Sequence, residues 1–251
     1  MKALVTGASG FIGSTLIEYL IKKGVDVHAL MRRTSSSAYL DQLNFTRVEG
    51  DLSSAEGLQK AVTGMDYVFH LAGATAAPNR NSYFESNALG TARLAQAVAE
   101  VNPGLKRFVH ISSLAAAGPA LDLTPKTEQD EDQPVSFYGL SKLEGEKELL
   151  KYRNQFPISI VRPPMVFGPR DKGIFVVIRA LAKSNVMPLL PGGRIDGQKF
   201  YSSIHVSDLC RGIIQAGFVP AEKIPSGEIF YLASDGVHTY QDLLLEMAKN
   251  L

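Results

Sequence analysis

The chain has 251 residues, 45% of them hydrophobic and 20% charged, with a formal net charge of +1. That balance suits one large globular domain, or a domain with a small lobe, and gives no electrostatic reason to expect nucleic acid or an anionic membrane as partner. One cysteine, Cys210, excludes an internal disulfide and fits a reducing, cytoplasmic setting, where its expected role is core packing.

No segment reaches the roughly 18–20 apolar residues of a membrane span. Lys2 is followed at once by a strand pattern and a glycine loop, so no signal peptide is expected. Strand-length apolar runs alternate with helical patterns in chain order. Strands are predicted at 2–6, 25–31, 46–49, 67–71, 107–111 and 158–161. Helices are predicted at 11–23, 38–43, 55–62, 83–101 and 137–154. After Arg162 the alternation breaks, punctuated by Pro163, Pro164, Pro169, Pro188 and Pro191. Helices at 174–183, 206–218 and 240–250 and a strand at 229–232 complete the reading. The expected fold is α/β, a Rossmann-type doubly wound parallel sheet with a small C-terminal substrate lobe. Residues 1–162 form the dinucleotide-binding core, and 163–251 mix returning core elements with the lobe.

The run Thr6-Gly7-Ala8-Ser9-Gly10-Phe11-Ile12-Gly13 joins the first strand to the first helix. Gly7 allows the turn, Gly10 lets backbone approach a pyrophosphate, and Gly13 lets helix and strand pack closely. Ser9, Phe11 and Ile12 share this phosphate cradle, whose free N–H groups open the helix. The second strand ends Met31-Arg32-Arg33-Thr34-Ser35 with no carboxylate. An acidic residue there favours NAD, whereas an arginine meets a 2′-phosphate. Arg32 and Arg33 therefore favour NADP(H), with NAD(H) possible if they are a solvated strand end. Asp51 and Leu52 follow the third strand, where a carboxylate accepts from an adenine amino group, or where Asp51 and Ser53 merely start a helix. Leu71, Ala72 and Gly73 end the fourth strand with small side chains, leaving room for ribose and diphosphate.

Tyr138 and Lys142 stand four apart in SFYGLSKLEGEKELL, on one helix face. An ammonium beside a phenol lowers its pKa and makes it a usable acid or base. Tyr19 and Lys23 share this spacing, but lack the upstream Ser112-Ser113 pair at a strand end. The histidines His28, His70, His110, His205 and His238 show no metal-ligand spacing, and no Cys-His pair is visible.

Eight ordered pieces, TGASGFIG (6–13), GDL (50–52), HLAG (70–73), SNALGT (86–91), HISS (110–113), YGLSK (138–142), VRPPMVFGP (161–169) and IHVSDL (204–209), span most of the chain. Through them the sequence resembles the extended short-chain dehydrogenase/reductase family, also called the NAD-dependent epimerase/dehydratase family. The resemblance implies Ser113 as catalytic serine, Tyr138 as acid/base, Lys142 as its partner, and Pro163 and Pro164 beside the nicotinamide. It implies structural roles for Asn87, His205 and Asp208, and a homodimer through the helices at 83–101 and 137–154. Leu94, Ala95, Val98, Leu143 and Leu150 are the candidates for that contact, or for packing within one chain.

Three functions are open at this point. The first is an NADP(H)-dependent carbonyl reductase or alcohol dehydrogenase on a small molecule, similar to the dihydroflavonol-reductase-like and hydroxysteroid-dehydrogenase-like branch. The second is a nucleotide-sugar epimerase or dehydratase, for which Arg170, Arg179 or Arg194 would clamp a diphosphate. Met165 argues for the first, because it stands where sugar-nucleotide members often carry an asparagine and it cannot donate to phosphate. The third is a non-catalytic NADP sensor, disfavoured because Ser113, Tyr138 and Lys142 are all kept. Extended members generally continue beyond the position of Leu251, so part of the lobe is expected to be missing from this sequence.

Overall fold

The computed structural model describes residues 1–173, 200–236, 238–239 and 241–242. The helix predicted at 174–183, all but residues 241–242 of the one predicted at 240–250, and the side chains of Arg179 and Arg194 lie outside the described residues. Among the described residues, strands β1 (Lys2–Thr6), β2 (Asp26–Met31), β3 (Thr46–Glu49), β4 (Tyr67–His70), β5 (Arg107–Ile111), β6 (Ile158–Arg162) and β10 (Glu228–Tyr231) form one sheet. Its order is β3-β2-β1-β4-β5-β6-β10, with every pairing parallel. The order reverses between β1 and β4, so a crevice opens at their carboxyl ends. Short strands β7 (Met165–Phe167) and β9 (Ser203–His205) pair beyond β6, as do β8 (Phe200–Tyr201) and β11 (His238–Thr239).

The strands are apolar because both faces are covered. On one face α1 (Phe11–Lys22) and α7 (Val206–Phe218) pack through Leu16, Ile17, Leu20, Leu209, Cys210 and Ile213, all buried. Burial pushes the Cys210 thiol up to about 12, so it is an inert packing group. On the other face α2 (Ala55–Val62), α4 (Gly90–Val101) and α6 (Phe137–Leu150) cover Val68, Phe108, Ile158 and Ile160.

Several expectations are corrected by the fold. Residues 38–43 form successive turns, with Leu40 N–H donating to Ser37 O at 2.6 Å and Leu43 N–H to Leu40 O at 2.8 Å, rather than a helix. The helix predicted at 83–101 starts earlier, at α3 (Arg80–Phe84), where the Asn79 side chain caps Ser82 N–H at 2.9 Å. It then passes through a π turn (Glu85–Leu89) before α4. Ser54, not Ser53, caps α2, while Asp51 accepts from both Ser53 N and Ser53 Oγ. Leu94, Ala95 and Val98 face the sheet and are fully buried within the one chain, so they are unavailable to a partner. The outward apolar side chains of this region include Leu89, Val101, Phe137 and Leu140.

Candidate active site

The glycine loop closes tightly on itself. Gly7 has φ +70°, and a Cβ there would stand 2.7 Å from Ala72 N and Leu71 C. A Cβ on Gly13 would stand 2.2 Å from Gly7 O. Neither position admits a side chain, so the loop backbone lies bare against the end of β4 and the start of α1. A cradle of this kind fits a dinucleotide pyrophosphate.

A cleft of about 980 Å³ runs from this loop across the strand ends. Its walls include Gly7, Ser9, Gly10, Phe11, Ile12, Gly13, Arg32, Asp51, Leu52, Leu71, Ala72, Gly73, Ser113, Tyr138, Lys142, Pro163 and Pro164. Of the sequence-derived candidates Arg33 is off the wall: it is exposed, and its carbonyl accepts from Arg47. Ser35, Asn87, Val166, Asp171 and Gly173 also line the cleft. Met165 does not; in β7 it is Val166 that faces the cleft, so the apolarity of Met165 does not bear on this wall. Arg170 bonds Glu18 at 3.0 Å and lies over the Tyr39 ring, so it is engaged on α1 rather than held for a substrate diphosphate.

Ser113 is the N-cap of the short helix α5 (Leu114–Ala117), its Oγ accepting from Ala115 N–H at 3.1 Å. That bond leaves the hydroxyl proton free to donate. The Ser113 hydroxyl opposes part of the rise that burial imposes on the Tyr138 phenol pKa. The expected direction is therefore corrected: burial holds Tyr138 above its ordinary value. The Lys142 ammonium donates to Ile111 O at 2.7 Å instead of to the phenol. Burial also pushes Lys142 down, to about 8, against the opposing charge of Glu146.

Asn87 sits in the π turn and ties three segments together. Its Oδ1 accepts from Ala74 N–H at 2.8 Å, while its Nδ2 donates to Ala74 O at 3.0 Å and to Ser141 Oγ at 2.9 Å. Ser141 in turn donates to Tyr138 O at 2.7 Å. Behind it, Thr91 Oγ1 donates to Asn87 O at 2.8 Å and accepts from His70 Nε2 at 2.9 Å. His70 Nδ1 accepts from Thr6 Oγ1 at 2.7 Å, and Thr6 accepts from Ala72 N–H at 3.1 Å. These directions require neutral His70, and burial holds its pKa down to about 3. A single polarised chain thus bolts β1, β4 and α4 to the turn that locates α6. His205 caps α7 against Ser207, and Asp208 pairs with Arg211, both away from the cleft.

Fold and site together define a Rossmann-type enzyme whose cleft brings the glycine loop together with Ser113, Tyr138 and Lys142. The chain belongs to the NAD-dependent epimerase/dehydratase family, whose family model matches residues 3–232. It is 28% identical, over 98% of its length and 73% of the relative's, to 4-hydroxy-2-methyl-3-oxo-4-farnesyl-3,4-dihydroquinoline-1-oxide ketoreductase of Stigmatella aurantiaca. It is 32% identical, over 85% of its length, to 71% of an uncharacterized UDP-glucose epimerase, YtcB, of Bacillus subtilis. A solved structure of MoeE5 in complex with UDP-glucose and NAD superposes with a TM-score of 0.84 at 27% identity, covering 100% of this chain and 82% of that one. Other curated relatives are matched over as little as 53% of their length. Among the described residues no helix is long and apolar enough to cross a membrane, and no group of potential metal ligands is found.

Proposed function

We propose that this protein interconverts a small-molecule carbonyl and its alcohol with NADP(H), Tyr138 acting as acid/base. The observation that carries this reading is that Ser113, Tyr138 and Lys142 line the same cleft as the bare glycine loop. The nicotinamide dinucleotide supplies or takes up the hydride. In the reductive direction Tyr138 gives its proton to the oxygen that develops negative charge. Ser113 donates to that same oxygen and fixes the reacting carbon's position. Lys142 holds a cofactor ribose hydroxyl and stabilises the tyrosinate left behind. Gly7, Ser9, Gly10, Phe11, Ile12 and Gly13 hold the pyrophosphate, Asp51 and Leu52 the adenine, and Leu71, Ala72 and Gly73 the diphosphate and ribose. Pro163 and Pro164 face the nicotinamide.

The preference for NADP(H) rests on Arg32 and Ser35 on the cleft wall, at a strand end that lacks a carboxylate. Residues 1–162 are the cofactor core in this reading, and 163–251 add the substrate lobe. It further places the protein in the cytoplasm as a homodimer, with Leu89, Phe137 and Leu140 as the contact face.

One observation favours a second reading, a nucleotide-sugar epimerase or dehydratase: the structural likeness to MoeE5 with its UDP-sugar. Purified protein separates the two. A reductase releases its cofactor on dilution, binds NADPH more tightly than NADH, and oxidises NADPH with a panel of ketones. Retained NAD, with interconversion of UDP-sugars and no net redox change, establishes the epimerase instead. Tyr138→Phe is expected to abolish turnover while cofactor binding persists, and near-normal turnover in that variant removes the mechanism.

A further inference from the structure

The proposed reacting groups come from separate segments: Ser113 after β5, Tyr138 and Lys142 on α6, and Pro163 after β6. One buried ion cluster touches all of them. Arg162, the last residue of β6, is 1% exposed, and Glu146, one turn beyond Lys142 on α6, is also 1% exposed. Arg162 Nε donates to Glu146 Oε1 at 2.9 Å and its Nη2 to Oε2 at 2.5 Å. The same guanidinium forks onto Asp132 at 2.6 and 2.8 Å, just upstream of Tyr138. Ser112, the neighbour of Ser113, donates to Glu146 Oε1. Tyr231 on β10 accepts from Arg162 Nη1 at 3.2 Å.

Stability alone is a weak account of such a cluster, because buried ion pairs seldom outperform apolar side chains of like volume. Its placement suggests another use. Two carboxylates against one guanidinium leave a net negative charge, and Lys142 stands one turn from Glu146 on the same face of α6. We infer that Glu146, clamped by Arg162, is a positioning residue of this active site: it fixes α6 against the ends of β5 and β6 and supplies the negative charge that keeps Lys142 an ammonium. The inference deepens the proposed function and rests on that reading of Lys142.

The other groups around Lys142 do not supply that charge. On α6 itself, Tyr138 is a neutral phenol held high by burial. His70 on β4 and His110 on β5 are both neutral, pushed down by burial and by the Lys142 charge. Ile111 offers a carbonyl, and Asn87 in the π turn is uncharged. Arg162 on β6 is spent on Glu146 and Asp132. Glu146 is thus the carboxylate that opposes the loss of the Lys142 proton.

The test uses the full chain as wild type, Glu146→Gln, the double variant Glu146→Gln/Arg162→Gln, and Ser112→Ala. Competitive acetylation of lysines by acetic anhydride, followed by mass spectrometry across pH, reads the Lys142 midpoint without any substrate. NADPH oxidation with a ketone panel reads kcat and KM across the same range. Losing the carboxylate lowers the Lys142 midpoint by about one pH unit in Glu146→Gln, and by less in the double variant, which also loses the Arg162 positive charge while Asp132 stays. The alkaline limb of kcat moves down with it, while KM for NADPH stays within about threefold. Ser112→Ala keeps the carboxylate and leaves the midpoint in place. The double variant guards against a misfolded single one, since it removes both buried charges together. An unchanged midpoint in a folded carboxylate variant overturns the inference. So does failure of both carboxylate variants to fold, which would make the cluster structural support alone. If wild type turns over no ketone, the proposed function falls, and the acetylation midpoint still decides the role of Glu146.

Discussion

Gly145 is where α6 meets the π turn, and an added methyl there tests the geometry that locates Tyr138 and Lys142. A Cβ at this position would stand 2.3 Å from the backbone oxygen of Asn87. An ordinary carbon–oxygen contact needs about 3.3 Å, so α6 and the turn must part by about 1 Å. Overpacking of this kind costs about 1–3 kcal/mol. Replacing glycine by alanine within a helix returns up to about 1 kcal/mol. The net loss of about 1–2 kcal/mol lowers Tm by about 2–8 °C for a domain of this size. The kinetic effect exceeds the thermal one. The shift falls on the Asn87–Ser141–Tyr138 linkage, and a misplacement of about 1 Å costs about 100-fold in rate. Thermal unfolding followed by steady-state NADPH oxidation measures both. Gly104→Ala is the control, because its methyl would meet open space. If Gly145→Ala matches that control in both Tm and kcat, α6 is not held where the geometry places it.

Arg32→Ala is expected to weaken NADPH binding about 10-fold to 100-fold and leave NADH binding nearly unchanged, as loss of a charge-assisted phosphate contact requires. Fluorescence titration with both cofactors checks this, and equal losses for the two would remove Arg32 from the 2′-phosphate. His70 and His110 are buried and neutral, with pKa values below that of an unfolded histidine. The unfolded chain binds those protons first as pH falls, so their contribution is present above about pH 6.5 and is lost below it, by about 2 kcal/mol per histidine at pH 5. Unfolding by urea at pH 7 and pH 5 should show that loss. Both ring nitrogens of His110 lack a hydrogen-bond partner, so His110→Phe should hold or raise stability at pH 7 and remove about half of the acid sensitivity. An unaltered pH slope in that variant would show that His110 is not held neutral.

What the sequence determined by itself is local. The strand–glycine–helix junction at 6–13, the run of parallel strands and the Tyr138–Lys142 spacing each depend on residues a few positions apart, and backbone geometry fixes their meaning. What tertiary structure decided is long-range. Burial, not the neighbouring lysine, sets the direction of the Tyr138 pKa. The sheet beneath α4 turned Leu94, Ala95 and Val98 inward. Asn87 reaches Ser141 across 54 positions, and Arg162 reaches Asp132 across 30. The apolar pattern of a strand or helix states only that a face is buried, never against what. Charge and hydrogen-bond energies depend on distance and desolvation, and those quantities exist only once distant segments have been brought together.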